Sequence, residues 1–264
     1  MTVQIGYANI LESSTVTQVG ASAVTGFPLY RIYDRIPQRM FVSSTNATQK
    51  IKVDQGGSPV TTNLFVLGPG HNLSGATLTL QWSTIGDDVE GSWSTPTLSW
   101  TDNGATTPMD NPWTQSGSGI LAAQIETVAA KRYWRLKIVS APSAPSIGEI
   151  FLSTLVVLPT QPAYDSSSHG VRTVRNRVES ISGSPHFFTR GSSLRQVTYA
   201  FNQISDSGLT SFTAWDTAWN GQKPFFLNDH LARQYFAERI EDVSNFRSVE
   251  YNNTSSSITM QEVL

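Results

Sequence analysis

From Lys131 to Ile138 the side chains alternate: Trp134, Leu136 and Ile138 fall on one face, Tyr133, Arg135 and Lys137 on the other. That period of two is the signature of a half-buried strand. Pro142 and Pro145 follow, and neither can donate to a ladder, so the chain must cross over in a loop. Ile147-Gly148-Glu149-Ile150-Phe151-Leu152 then reads as a second, core strand. A strand pair of this kind closes a β-sandwich. The residues before it are expected to complete that sandwich, and those after it to form a second unit.

A chain of 264 residues is long enough for one large or two ordinary domains. Charged residues make up 14% and the net charge is -2. The basic residues are scattered, the densest group being Arg172, Arg175 and Arg177, so nucleic acid is not the expected partner. Cysteine is absent, which removes disulfides, thiolate catalysis and Cys-based zinc sites. No apolar run approaches bilayer length, so membrane insertion is not expected. Met1-Thr2-Val3-Gln4-Ile5 does not look like a signal peptide. The expectation is a soluble protein made in a cytosol.

Residues 1–26, rich in Thr, Ser, Val and Gly, read as an extended N-terminal arm or edge strand, and 27–158 as the sandwich. Within it, Ile51-Lys52-Val53-Asp54 alternates, Asn63 to Leu67 is an apolar strand, and Leu78, Leu80 and Trp82 alternate with Thr77, Thr79 and Gln81. Gly86 to Gly119 is polar and turn-rich yet contains Trp93, Trp100 and Trp113. These tryptophans either plug one end of the sandwich or form an exposed platform for a sugar or a partner protein. Ile120 to Val128 reads equally as strand or short helix. A Pro/Ser linker occupies 159–168. A β-rich unit at 169–264 follows, with one helix capped by Asp206 and carrying Leu209, Phe212, Trp215 and Trp219 on one stripe. Asn220-Gly221 would end it. The fold class is therefore mainly β.

Catalytic signatures are missing. The histidines, His71, His169, His186 and His230, show no metal-binding spacing, and no nucleophile elbow or dinucleotide loop occurs. Asp87, Asp88 and Glu90 sit in one turn and read as a solvated loop, unlike the facing acid pair of a glycosidase. The chain is not expected to be an enzyme. His71, beside Asn72 in a glycine-flanked loop, suits either a ligand or a backbone hydrogen bond.

An ordered series carries a resemblance: Tyr33-Asp34, Ile51 to Asp54 with its glycine turn, Asn63 to Leu67, Asn72-Leu73-Ser74-Gly75, Leu78 to Ser83, Trp93, Arg132 to Leu136, and Ile147 to Ile150. Over Gly26 to Leu158 it resembles discoidin-like (galactose-binding-like) jelly rolls. That resemblance implies a structural calcium at Asp34 and Glu149, suited by oxygen ligands. Arg35 departs from the family pattern and offers a cation that would replace the metal by pairing with Asp34. The second half, through Ser205 to Trp219 and Lys223-Pro224-Phe225-Phe226, resembles minor tail and distal-tail proteins of tailed bacteriophages.

The two resemblances imply a structural virion component of a phage tail tip or baseplate, assembled in the bacterial host cytoplasm. Its partners would be other phage tail proteins and copies of itself. The alternative is a carbohydrate-binding module used for adsorption to a host-surface glycan, with His71, Asn72, Trp93, Trp100 and Trp113 as the contacting residues.

Overall fold

The computed structural model describes residues 3–102, 105–126, 130–158, 162–163, 167–172, 175–179, 185–189, 194–219, 223–229, 231–240, 247–250 and 253–263. Much of the expected linker and the Asn220-Gly221 helix stop lie outside these. The chain divides into two compact units, Met1–Val157 with Phe225–Gln234, and Leu158–Pro224 with Tyr235–Leu264.

The first unit opens with β1 (Gln4–Gly6), a 3-10 turn at Ile10–Ser13, and β2 (Thr15–Val19). After a second 3-10 turn at Leu29–Tyr33 come β3 (Phe41–Val42), β4 (Gln49–Asp54), β5 (Leu64–Leu67) and β6 (Thr77–Ser83). Next are β7 (Leu98–Asp102), β8 (Ala105–Met109), β9 (Trp113–Thr114) and β10 (Leu121–Ile125). The run closes with β11 (Tyr133–Val139), β12 (Ser146–Ile147), β13 (Ile150–Ser153) and β14 (Val156–Val157).

These strands build a two-sheet antiparallel sandwich. One sheet runs β13-β5-β10-β7-β8 and the other β2-β4-β11-β6-β9. The alternation in β11 sets the layering. Trp134, Leu136 and Ile138 enter the core with Ile51, Val53, Leu78 and Leu80, and meet Phe65, Leu67, Ala123, Ile150 and Leu152 of the facing sheet. Burying one such side chain is worth about 1.5–3 kcal/mol.

Of the two expectations for 1–26, arm or edge strand, Thr15–Val19 follows the second, as the outermost strand of its sheet, and residues 3–6 pack into the first unit. Val3 and Ile5 are fully buried, β1 pairs with β14 and with Phe225–Asn228, and β2 pairs along β4. Apolar Val3 and Ile5 outweigh the polar composition around them. Gly6 lets β1 approach β5 closely: a Cβ there would overlap the Leu64 Cδ2 methyl, so the leucine would have to shift. The undecided stretch after Ile120 is a strand, β10, paired on both sides. The Gly86–Gly119 region holds β7, β8 and β9, so it is more ordered than its turn-rich composition implies. The expected 169–264 unit loses Phe225–Gln234, which clusters with the first unit.

The second unit contains β15 (Ser168–Arg172), β16 (Arg175–Glu179), β17 (Pro185–Thr189), β18 (Leu194–Ser205) and α1 (Asp206–Trp219). Beyond β19 (Phe225–Asn228), which belongs to the first unit, come β20 (Gln234–Arg239), β21 (Arg247–Glu250) and β22 (Asn253–Glu262). β22 pairs with β18, β20 and β21, and β16 with β17. Ser205, one residue before the expected cap, accepts the Gly208 amide and starts α1, whose Phe212 and Trp215 are buried. Among the described residues no helix is long and apolar enough to cross a membrane.

Candidate functional site

Of the five residues expected to contact a glycan, His71, Trp93 and Trp113 are buried, Trp100 is half-buried and Asn72 is exposed. Trp113 is 7% exposed, edge-on to Phe65 at 5.9 Å, and its Nε1 donates to Gln115 Oε1 at 3.1 Å. Trp93 is equally buried and donates to the Asp87 carbonyl at 2.8 Å. Half-buried Trp100 meets Phe226 edge-on at 6.0 Å. An indole whose N–H has a protein partner loses little on burial and gains its full apolar area, which is why Trp93 and Trp113 fill space instead of forming a platform.

His71 is buried; its Nε2 lies 3.2 Å from the Gly119 carbonyl and its Nδ1 accepts the Leu73 amide. Those roles place the proton on Nε2, and burial lowers the pKa, so the ring is a neutral loop tie. Asn72 is exposed but engaged: Nδ2 donates to Ser143 Oγ and Ala144 O, and Oδ1 accepts the Ser146 amide at 2.7 Å. Both residues hold loops together.

Asp34 and Glu149, the expected calcium ligands, do not fit the ion. Ca²⁺ takes about six to eight oxygens. Glu149 is fully buried, with Oε2 accepting the Arg35 amide at 3.1 Å and Oε1 accepting Asn9 Nδ2 at 3.1 Å. The Arg35 guanidinium supplies the positive charge, donating to Glu12 and to the Tyr7 carbonyl and stacking 4.6 Å from the Phe151 ring centre. Arg35 thus pairs with Glu12, not with Asp34 as its position suggests. Burial still pushes the Glu149 carboxyl well above the ordinary range. Asp34 Oδ1 caps the Ile36 amide while Oδ2 is buried without a partner. One orphan oxygen is not a cage, and no group of three acidic or imidazole side chains suited to a metal occurs among the described residues.

Two features without any motif in the sequence remain. The first is a groove of about 370 Å³ against the outer face of the β7-β10 pair, lined by Gln4, Asn63, Ser99, Thr101, Thr106, Gln124 and Glu126 with Leu155 and Val157. Its amides are held in place: Gln4 and Gln124 each donate to the Thr101 carbonyl at 3.3 Å, and Asn63 Oδ1 accepts the Leu155 amide at 2.6 Å. Gln4 is fixed further by Asn228 at 3.0 Å. The remaining polar atoms, Gln124 Oε1, Asn63 Nδ2, the Ser99 hydroxyl and the Glu126 carboxylate, have no protein partner among the described residues. They form a preset, mostly neutral array of donors and acceptors.

The second feature is the outer face of the β4-β11-β6 sheet. Lys52 stands opposite Arg135, and Lys50 opposite Lys137. Asp87, Asp88 and Glu90, expected to be a solvated turn, lie over this face as a strap. Glu90 meets Lys50 at 2.6 Å, Arg135 at 2.5 Å and Lys137 at 3.3 Å, and Asp88 meets Lys52 at 2.9 Å. Trp93 closes the end, with Arg135 4.2 Å and Lys52 5.9 Å from its ring centre. Bonding to Lys50 first, then the fields of Arg135 and Lys137, hold Glu90 ionised down to about 2. The i, i+2 spacing of Lys50/Lys52 and Arg135/Lys137 was the available signal, since it puts all four cations on one face.

No family model matches the chain, and no curated protein does. Among solved structures it is similar to chitosan-binding module 1 of a chitosanase/glucanase from Paenibacillus sp. IK-5, with 23% identity over 56% of this chain and 99% of that one, TM-score 0.41. A fucose-binding module of Streptococcus pneumoniae matches at 15% identity over 56% and 95%, TM-score 0.38. A Clostridium perfringens module in complex with GalNAc-beta-1,3-galactose matches at 12% over 56% and 100%, TM-score 0.40. These structural neighbours are carbohydrate-binding modules, and the likeness is one of fold.

Proposed function

We propose that the first unit is a non-catalytic carbohydrate-recognition module, with the groove along β7 and β10 as its binding site. The observation that carries this reading is the set of unpartnered polar atoms on Gln124, Asn63, Ser99 and Glu126, held in a groove of about 370 Å³. That volume lies within the roughly 300–1,000 Å³ of small-molecule sites. Neutral amides and hydroxyls match the paired donor and acceptor character of sugar hydroxyls, and the apolar Leu155 and Val157 offer a surface to the C–H face of a ring. This reading puts the glycan contacts in the groove and not at His71, Asn72, Trp93, Trp100 and Trp113, the residues expected from sequence.

The test is titration of a panel of neutral oligosaccharides by isothermal calorimetry and NMR. Gln124→Ala and Ser99→Ala, each removing one hydrogen bond of about 0.5–1.5 kcal/mol, should weaken binding by about 3–10-fold. Binding that neither variant alters would refute the assignment.

A second reading, assembly with copies of itself and other tail proteins in a phage virion, is favoured by one observation. β2, Thr-Val-Thr-Gln-Val, is the outermost strand of its sheet, with neither charge nor proline to block addition of another strand. Thr17→Lys should then abolish a concentration-dependent oligomer seen by light scattering.

A further inference from the structure

We propose that the basic outer face of the β4-β11 pair binds an oxyanion group of an acidic polysaccharide, and that Glu90 occupies that place as an internal stand-in. This deepens the carbohydrate reading by naming a substrate class, at a different surface from the groove. Like charges directly opposite on neighbouring strands destabilise a sheet. Here two such pairs adjoin, Lys52 with Arg135 and Lys50 with Lys137, where neighbouring positions carry Thr17, Thr79 and Gln81. Such an arrangement is tolerable only with anions above it.

The strap does not saturate the face. Four cations meet two paired carboxylates, Asp88 and Glu90, while Asp87 acts on Arg135 at longer range and Asp54, itself paired with Arg132, acts on Lys52; with Arg132 counted, the cations outnumber the carboxylates by one. Arg135 is fully buried. Its Nε donates to Gln81 at 2.7 Å and its Nη2 to Glu90, but Nη1 is buried with no partner. The glutamate therefore engages one prong of a guanidinium built for two. A flat or tetrahedral oxyanion bridging Nη1 and Nη2 satisfies both.

Exchange needs only a side-chain swing. The Glu90 side chain is half exposed. The strap itself is held without it, by Trp93 Nε1 on the Asp87 carbonyl, Ser92 on Asp87, and Lys52 on the Gly86 carbonyl. Carboxylate and sulfate share the required chemistry, and the experiment separates them.

The full chain is titrated with polygalacturonate, dextran sulfate and neutral dextran at low and high salt. Saturable binding to either polyanion that falls with salt is expected; binding to one alone assigns the group as carboxylate or sulfate. Lys137→Gln should weaken it about tenfold. Glu90→Gln, by removing the internal competitor, should strengthen it at least threefold, and Glu238→Gln, which removes an equal charge from the second unit, should not. The proposal is overturned if Glu90→Gln binds neither polyanion, if it binds no more tightly than wild type, or if Glu238→Gln gains as much. Gln124→Ala leaves this binding intact, so failure of the groove and failure of the basic face are read separately.

Discussion

Replacing Glu90 by Gln removes the carboxylate that three cations share while keeping its shape. Lowering its pKa from the ordinary 4.5 to about 2 corresponds at face value to ~3 kcal/mol of native-state stabilisation. The side chain is half exposed. Solvent screening and side-chain ordering therefore reduce the figure to about 1 kcal/mol. For a unit of this size the melting temperature should fall by about 2–4 °C, read by calorimetry at pH 7 and low salt. The sign with pH follows from the direction of the shift. A depressed carboxylate contributes fully above its unfolded value of 4.5 and loses that contribution as pH falls toward about 2. The gap between wild type and variant should accordingly close between pH 4.5 and 2. A double-mutant cycle with Lys50→Gln should return most of the effect as coupling. An equal gap at pH 7 and pH 2, or no coupling, would refute the claim that the Glu90 carboxylate is held on this face by charge.

Gly148 packs against the Pro37 carbonyl so closely that any Cβ collides with it. Gly148→Ala should cost about 1–3 kcal/mol, seen as a lower urea midpoint, and an unchanged midpoint would contradict the packing. Glu149 has the opposite pH sign to Glu90. Its raised pKa means the folded state holds the proton more tightly, so stability is greatest below 4.5 and falls as pH rises through the folded value. Thermal melts of Glu149→Gln across pH 4.5–8 should lack that decline, while losing about 1 kcal/mol at the acid end for the acceptor facing Arg35 or Asn9.

The sandwich was legible because its strands are half-buried: Trp134, Leu136 and Ile138 reach the core as their alternation requires. The outer face of the same strand was not. Arg135 sits on the side that periodicity assigns to solvent, yet it is fully covered by a strap that returns from 45 residues away. Local pattern carries no information about such a contact. β1 illustrates the same limit, since its partner Phe225–Asn228 lies more than two hundred residues downstream. The tryptophans were ambiguous because composition does not say whether an indole N–H finds a partner, and here Asp87 and Gln115 provide them. The Arg35 knot was half visible: the arginine was flagged as a replacement for calcium, but its partner, Glu12, lay in the stretch read as an arm. The groove has no sequence signature at all, being assembled from one or two residues each of β1, β7, β8, β10 and β14 with Asn63, Glu126 and Leu155 from the connections.

Recognition of glycans through the β7-β10 groove is tested most directly by NMR chemical-shift mapping of the intact protein against neutral oligosaccharides. The account predicts saturable shifts centred on Ser99, Thr101 and Gln124, with a midpoint moved to about 3–10-fold higher sugar concentration in Gln124→Ala. Shifts confined to the loops around His71 and Asn72, or none with any sugar in the panel, would contradict it.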